Sequence, residues 1–189
     1  MKKIYLTLSF VIATGLLSAQ NKHTKTADKL FERYEYVDAA QEYLKLTEKG
    51  KADNYVYKQL ADSYYNVFNT KEAVKWFAKA TETKQDAETY YKYAQMLKAE
   101  GNYTEADKQM KKFADMAPND QRAKTFKSNP EYLPSLKNQV KLFNITKSDI
   151  SSDKTDFGAV LTNDNNVYFA SARNTSRRNS NFNDEPYLD

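Results

Sequence analysis

One interval constrains this chain more than any other feature: three stretches of it recur every 33 to 34 residues. "ADKLFERYEYVDAAQEYLKL" begins at Ala27, "ADSYYNVFNTKEAVKWFAKA" at Ala61 and "AQMLKAEGNYTEADKQMKKF" at Ala94. In each, the small first residue is followed three positions on by Leu30, Tyr64 or Leu97, twelve positions on by Ala39, Ala73 or Ala106, and four beyond that by Tyr43, Phe77 or Met110. A unit of this length cannot bury its apolar face alone, so copies must stack. The internal spacing is that of a helix hairpin, in which small residues let helices A and B approach and bulky residues at helical intervals fill the space between them. Breaks fall where hairpins need them, at "YEYVD", "FNTKE" and "EGNYTE", with Gly50 and Lys51 between the first two units.

The pattern resembles the tetratricopeptide repeat, down to Pro118 where the third copy should close, and places three repeats over residues 20–118. Leu46 and Phe113 stand at positions that are usually small, and Tyr57 and Tyr90 where a tryptophan is usual. The resemblance implies a right-handed helical solenoid whose concave face, made mostly of A helices, binds peptides or extended segments. The family's groove positions correspond to Asp28, Phe31 and Glu32, then Lys58, Asp62, Tyr65 and Asn66, then Tyr91, Gln95 and Lys98. This mixture is no carboxylate clamp, and each position is open to a second reading as part of a solvated face. The tyrosines are the better binding candidates, because an aromatic supplies contact area at little rotamer cost.

The start of the chain reads as a targeting segment. "MKKIYLTLSFVIATGLLSA" has a basic start, an apolar stretch from Ile4 to Leu17 and Ala19 before Gln20, which predicts a secretory signal over residues 1–19 cleaved after Ala19. An uncleaved membrane anchor is the competing reading, but the apolar run is short and interrupted by Thr, Ser and Gly. No cysteine occurs anywhere, which excludes a bacterial lipoprotein, disulfides, Cys-ligated zinc and thiol catalysis. Export without disulfides points to a Gram-negative periplasm. The net charge of +4 is spread over mixed-sign helices, so nothing asks for nucleic acid.

The catalytic repertoire is correspondingly thin. The single histidine, His23, follows the expected cleavage site, so no His-based triad or multi-His metal site is available. Carboxylates sit at helix-surface spacing beside lysines, and there is no glycine-rich phosphate loop. "DNN" at Asp164 to Asn166 lacks the glycine and terminal glutamate of a calcium loop and reads as a turn. The expectation is a protein without enzyme activity, metal or cofactor.

After Pro118 the language changes. Residues 119–139 read as a capping helix, with Asn119 or Asp120 as N-cap and Ala123 and Phe126 as its apolar contacts, followed by the proline-broken connector "PEYLPSLKNQ". Arg122, Lys124, Lys127, Lys137 and Lys141 make this stretch locally basic, suited to an acidic partner or simply solvated. From residue 140 to 189 the period shifts from 3.6 to 2: "KLFNIT", "DFGAVLT" and "NVYFASA" read as consecutive antiparallel strands around the turn "NDNN". Asp156, Phe157 and Gly158, with Phe169, Ser171 and Arg173, resemble a blade of the WD40-like (PD40) propellers of exported bacterial proteins. Such a blade has about 40 to 45 residues and is stable only in a closed ring. The expected fold class is therefore mainly α, a helical solenoid followed by the first, incomplete blade of a β-propeller, in the front part of a longer protein. The competing reading is a true C-terminus whose hairpin packs on the solenoid or on another chain's sheet.

Repeats followed by a blade opening with Asp-Phe-Gly resemble the N-terminal part of OmpA-family proteins of the Bacteroidota, of the PorE type associated with the type IX secretion system. The resemblance implies a periplasmic scaffold, associated with the outer membrane, whose repeats dock to a complex for secretion, gliding or outer-membrane assembly. It further implies peptidoglycan anchoring through a C-terminal domain missing from this chain. The alternative is a chaperone-like adaptor that takes extended polypeptides in the groove.

Overall fold

The computed structural model describes residues 23–129, 132, 138–140, 142–173, 186 and 188. The expected signal segment, most of the connector and most of the chain after Arg173 lie outside the described residues. Among the described residues seven helices run in order: α1 (Lys25–Glu32), α2 (Tyr36–Glu48), α3 (Asn54–Asn66), α4 (Thr70–Ala80), α5 (Ala87–Ala99), α6 (Tyr103–Met116) and α7 (Gln121–Ser128). They form three antiparallel hairpins, α1–α2, α3–α4 and α5–α6, closed by α7, and each helix packs mainly on its sequence neighbours.

Local chemistry fixes where each helix starts and stops. Side chains of Asp53, Asn69, Asp86, Asn102 and Asp120 accept hydrogen bonds from the freed backbone N–H groups of the first turns they cap. Each A helix ends in the same way. The N–H of Glu35 bonds to the Leu30 carbonyl, that of Asn69 to Tyr64, and that of Asn102 to Leu97, at 2.8 to 2.9 Å, the outer bond of a Schellman turn. The residue at the bend must then be left-handed: Tyr34 at φ 64°, Phe68 at φ 56° and Gly101 at φ 75°. Only the third repeat uses the glycine this conformation favours.

The repeat residues meet inside the hairpins. Ala39, Ala61, Ala73, Ala94 and Ala106 are fully buried and Ala27 nearly so, and Tyr43, Phe77 and Met110 fill the space their small side chains leave. The positions that depart from the usual pattern are absorbed locally. Tyr57 stacks on Trp76 of α4, with ring centroids 5.9 Å apart, so the indole missing from helix A is supplied by helix B. Phe113 is buried against Tyr91, 5.2 Å between centroids, and Phe77 stacks on Tyr93 across the boundary between the second and third repeats. The expected cap is present as α7, with Asp120 as its N-cap, Ala123 buried and Phe126 packed on the core.

Among the described residues the tail contains one antiparallel hairpin, β1 (Asp156–Leu161) and β2 (Val167–Ser171). The register shifts between Phe157 and Val160, where Gly158 takes φ 69°, the conformation of a glycine β-bulge. The turn lies in "NDNN", as expected, closed by the Asn165 N–H donating to the Thr162 carbonyl at 3.0 Å, with Asn165 left-handed. The third expected strand is corrected: residues 142–146 of "KLFNIT" carry no strand, and Leu142, Phe143 and Ile145 are at least three-quarters exposed. Aromatic and β-branched content gives strand propensity, but a strand exists only against a paired neighbour, and none lies beside this stretch among the described residues. The hairpin is compatible with a propeller blade and does not by itself establish one.

The blade-like residues do converge. Asp156 accepts hydrogen bonds from the Ser171 hydroxyl at 2.6 Å, the Ser152 backbone N–H at 2.7 Å and the Arg173 guanidinium at 3.0 Å. These donors hold its carboxyl well below the usual carboxylate range. Arg173 also lies over the Phe169 ring at 4.9 Å, whereas Phe157 stays half exposed.

Candidate functional site

The ten groove positions fall on α1, α3 and α5, and the register shows what each is used for. Asp28, Asp62 and Gln95 occupy one position of the repeat, each following the small residue that opens its copy. In the first two repeats that side chain bonds forward to the next repeat. Asp28 Oδ1 accepts from the hydroxyls of Tyr43 at 2.6 Å and Tyr55 at 2.9 Å, and its other oxygen from Thr24 at 2.8 Å. Asp62, 3% exposed, lies between Lys58 on its own helix and Lys92 on α5, both at 2.7 Å. Two of the three positions are therefore joints between repeats. A buried carboxylate flanked by two ammonium groups is compensated where it stands.

The remaining groove positions divide the same way. Phe31 packs edge-on against Tyr36 at 5.1 Å, and Glu32 is exposed. Tyr65 is half-buried, edge-on to Phe77 and capped by the Lys92 ammonium 5.2 Å from its ring. Exposed Asn66 donates to the Asp62 carbonyl at 2.7 Å, one turn back.

Tyr91, Gln95 and Lys98 do come together, and they open into a cleft of about 430 Å³ between α5, α6 and α7. Its floor is Met110 and Phe126, and its rim includes Arg122 and Tyr132. Gln95, which would bond forward if it followed the first two repeats, donates among the described residues only to the Met110 thioether, at 3.9 Å. Lys98 lies over the Tyr132 ring at 5.0 Å, and burial lowers its pKa, with Asp107 pulling the other way. The Arg122 guanidinium stacks 4.1 Å above Tyr91 and binds Glu88 through both terminal nitrogens, at 3.1 and 2.8 Å, and Asp120 through Nε and Nη2. These bonds to two carboxylates raise its pKa further and lock α7 to α5.

Sequence reasoning missed Lys92, Met110, Phe126 and Tyr132 as contributors to this face. Lys92 was not detectable, since the forward bond of Asp28 that would imply one from Asp62 is itself seen only in the structure; nor was the cleft, because α7 and Tyr132 lie outside the repeat. Of the locally basic stretch, Arg122 is engaged as described and Lys127 approaches Asp115 at 3.6 Å, while Lys124 is exposed and Lys137 and Lys141 lie outside the described residues. Among the described residues, no three His, Cys, Asp or Glu side chains group as a metal site, and no helix is long and apolar enough to cross a membrane.

Comparison with known proteins agrees with this geometry. Residues 87–120, comprising α5, α6 and the turn into α7, match the family model of the tetratricopeptide repeat. Among solved structures, the chain is similar to the C-terminal part of a TPR repeat-containing protein from Cytophaga hutchinsonii, with a TM-score of 0.51 and 23% identity. The likeness covers 61% of this chain and 45% of that one, so the chain spans less than half the length of the structure it resembles. No curated protein matches. The helical part thus has a tetratricopeptide-like fold, the architecture of a protein–protein interaction scaffold.

Proposed function

We propose that the chain is the docking part of a non-catalytic periplasmic scaffold whose repeats hold a subunit of an outer-membrane complex for secretion, gliding or outer-membrane assembly. In this reading residues 1–19 direct export, the hairpin belongs to a WD40-like propeller, and peptidoglycan is held by an OmpA-like domain that lies outside this sequence. The order of signal, repeats and an Asp-Phe-Gly hairpin supports the assignment to the type IX secretion-associated OmpA family. The observation that carries the docking role is the open cleft at Tyr91, Gln95 and Lys98, in the third repeat, where the position held by Asp28 and Asp62 makes no forward hydrogen bond among the described residues.

Cell fractionation of the native host, combined with affinity purification of the tagged protein at its normal level, tests this. The reading predicts recovery with the outer membrane and one partner in fixed stoichiometry. Weak association with many unfolded polypeptides would instead identify a chaperone-like adaptor, and a cytoplasmic protein without a partner would refute both.

A further inference from the structure

The groove spends most of its charge on itself, and the exceptions are informative. Asp28 and Asp62 are used between repeats, Lys58 and Lys92 are paired with Asp62, and Arg122 is saturated by Glu88 and Asp120. Lys98 alone on the wall of the cleft has no carboxylate within ion-pair distance among the described residues; Asp107, the nearest electrostatic influence on it, is bonded instead by the Tyr132 hydroxyl at 3.5 Å. Beside it lie the amide of Gln95, the thioether of Met110 and the ring of Phe126.

We propose, building on the docking role above, that this cleft takes an acidic side chain of an extended protein segment, paired with Lys98, with a neighbouring apolar side chain of that segment seated on Met110 and Phe126. The charge of the site selects this occupant. One ammonium with no carboxylate partner among the described residues suits a single carboxylate, whereas a nucleic-acid backbone or phosphate cluster needs several free cations, and the only other cation among the described residues of the rim, Arg122, is already bound. The volume of about 430 Å³ suits one or two side chains rather than a folded surface. Partial burial makes the ammonium costly to leave unpaired, so a carboxylate brought alongside replaces solvation it has lost. Gln95 can donate to the same carboxylate or to the segment's backbone.

The test is selection of random displayed peptides on the full chain, followed by affinity measurement with a fluorescein-labelled enriched peptide. Enriched sequences should pair Asp or Glu with an adjacent aromatic, Leu or Met. Changing that acid to its amide, or changing Lys98→Met, should each lower affinity about tenfold, and the two losses should not add. Met keeps an unbranched apolar stem without the charge, and circular dichroism checks that the variant is folded. Lys98→Glu should bind a peptide whose acid has been replaced by lysine. Enriched peptides without an acid, or equal affinity for the Lys98→Met chain, would overturn the proposal. If binding is lost with Tyr65→Ala yet ignores Lys98→Met, the docking role stands and this inference falls. If no peptide is enriched, or none responds to Tyr65→Ala, Tyr91→Ala or Lys98→Met, both fall.

Discussion

The Tyr43 hydroxyl donates to Asp28 Oδ1 at 2.6 Å, joining α2 to α1, and the Tyr55 hydroxyl reaches the same oxygen from the second repeat at 2.9 Å. One carboxylate therefore ties three helices together, at a position the family pattern assigns to the groove. Replacing Asp28 with Ala should cost about 1–3 kcal/mol, because the hydroxyls of the fully buried Tyr43 and of Tyr55 lose the carboxylate they both donate to. Urea unfolding measures this, and an unchanged midpoint would show that the junction carries no stability.

The same junction predicts alkaline sensitivity. Burial first, and then the hydrogen bond to Asp28, push the Tyr55 hydroxyl from 10.0 up to about 12, and Tyr43 is raised by the same causes in the same order. A raised folded-state pKa means that the stabilisation is complete below pH 10.0 and is lost as pH rises through the folded value. Stability of the wild type should fall between these limits, and Tyr55→Phe should flatten the fall. Identical alkaline profiles would contradict the arrangement.

Asp62 holds two ammonium groups that are each about a quarter exposed, at 27% and 24%. Asp62→Ala would remove the carboxylate both lysines pair with beside a buried site, leaving Asp86 as a more distant counter-charge, at a cost of about 2 kcal/mol, less than for a fully buried pair because solvent reaches the lysines. Lys92→Met should cost less than Asp62→Ala, since Lys58 still pairs with the carboxylate. The reverse order in thermal denaturation would refute this account.

Phe68 sits at φ 56° with a side chain 68% exposed, at the bend where the third repeat has Gly101. Phe68→Gly should therefore stabilise by about 0.5–1 kcal/mol, relief of left-handed strain outweighing the added freedom of the unfolded chain. A loss of stability would mean that the ring makes a contact that matters to the fold.

What the sequence reveals here is set by how far apart the contacting residues lie. The period was legible because each copy must pack on the next, so Ala39, Ala73 and Ala106 and their bulky partners recur in register. The role of Asp28 was not, because its partners Tyr43 and Tyr55 lie 15 and 27 residues away and a surface carboxylate looks the same on paper. The cleft at Lys98 was hidden for a related reason: two of its walls come from α7 and Tyr132, which share no repeat register with α5. In the tail, local alternation located β1 and β2 correctly, but the same signal over residues 142–146 lacked a neighbouring strand to realise it.

The central claim is that protein partners dock on the A-helix face, and site-specific photocrosslinking in the native host tests it most directly. A benzophenone side chain placed at Tyr65 or Tyr91 should capture the same partner, while one placed at Lys75 of α4 or Lys108 of α6, both more than half exposed, should capture none. Tyr65→Ala and Tyr91→Ala should each weaken that partner's binding by about 1–3 kcal/mol. Adducts confined to Lys75 and Lys108, with binding indifferent to both tyrosines, would place the interface on the B helices and contradict the account.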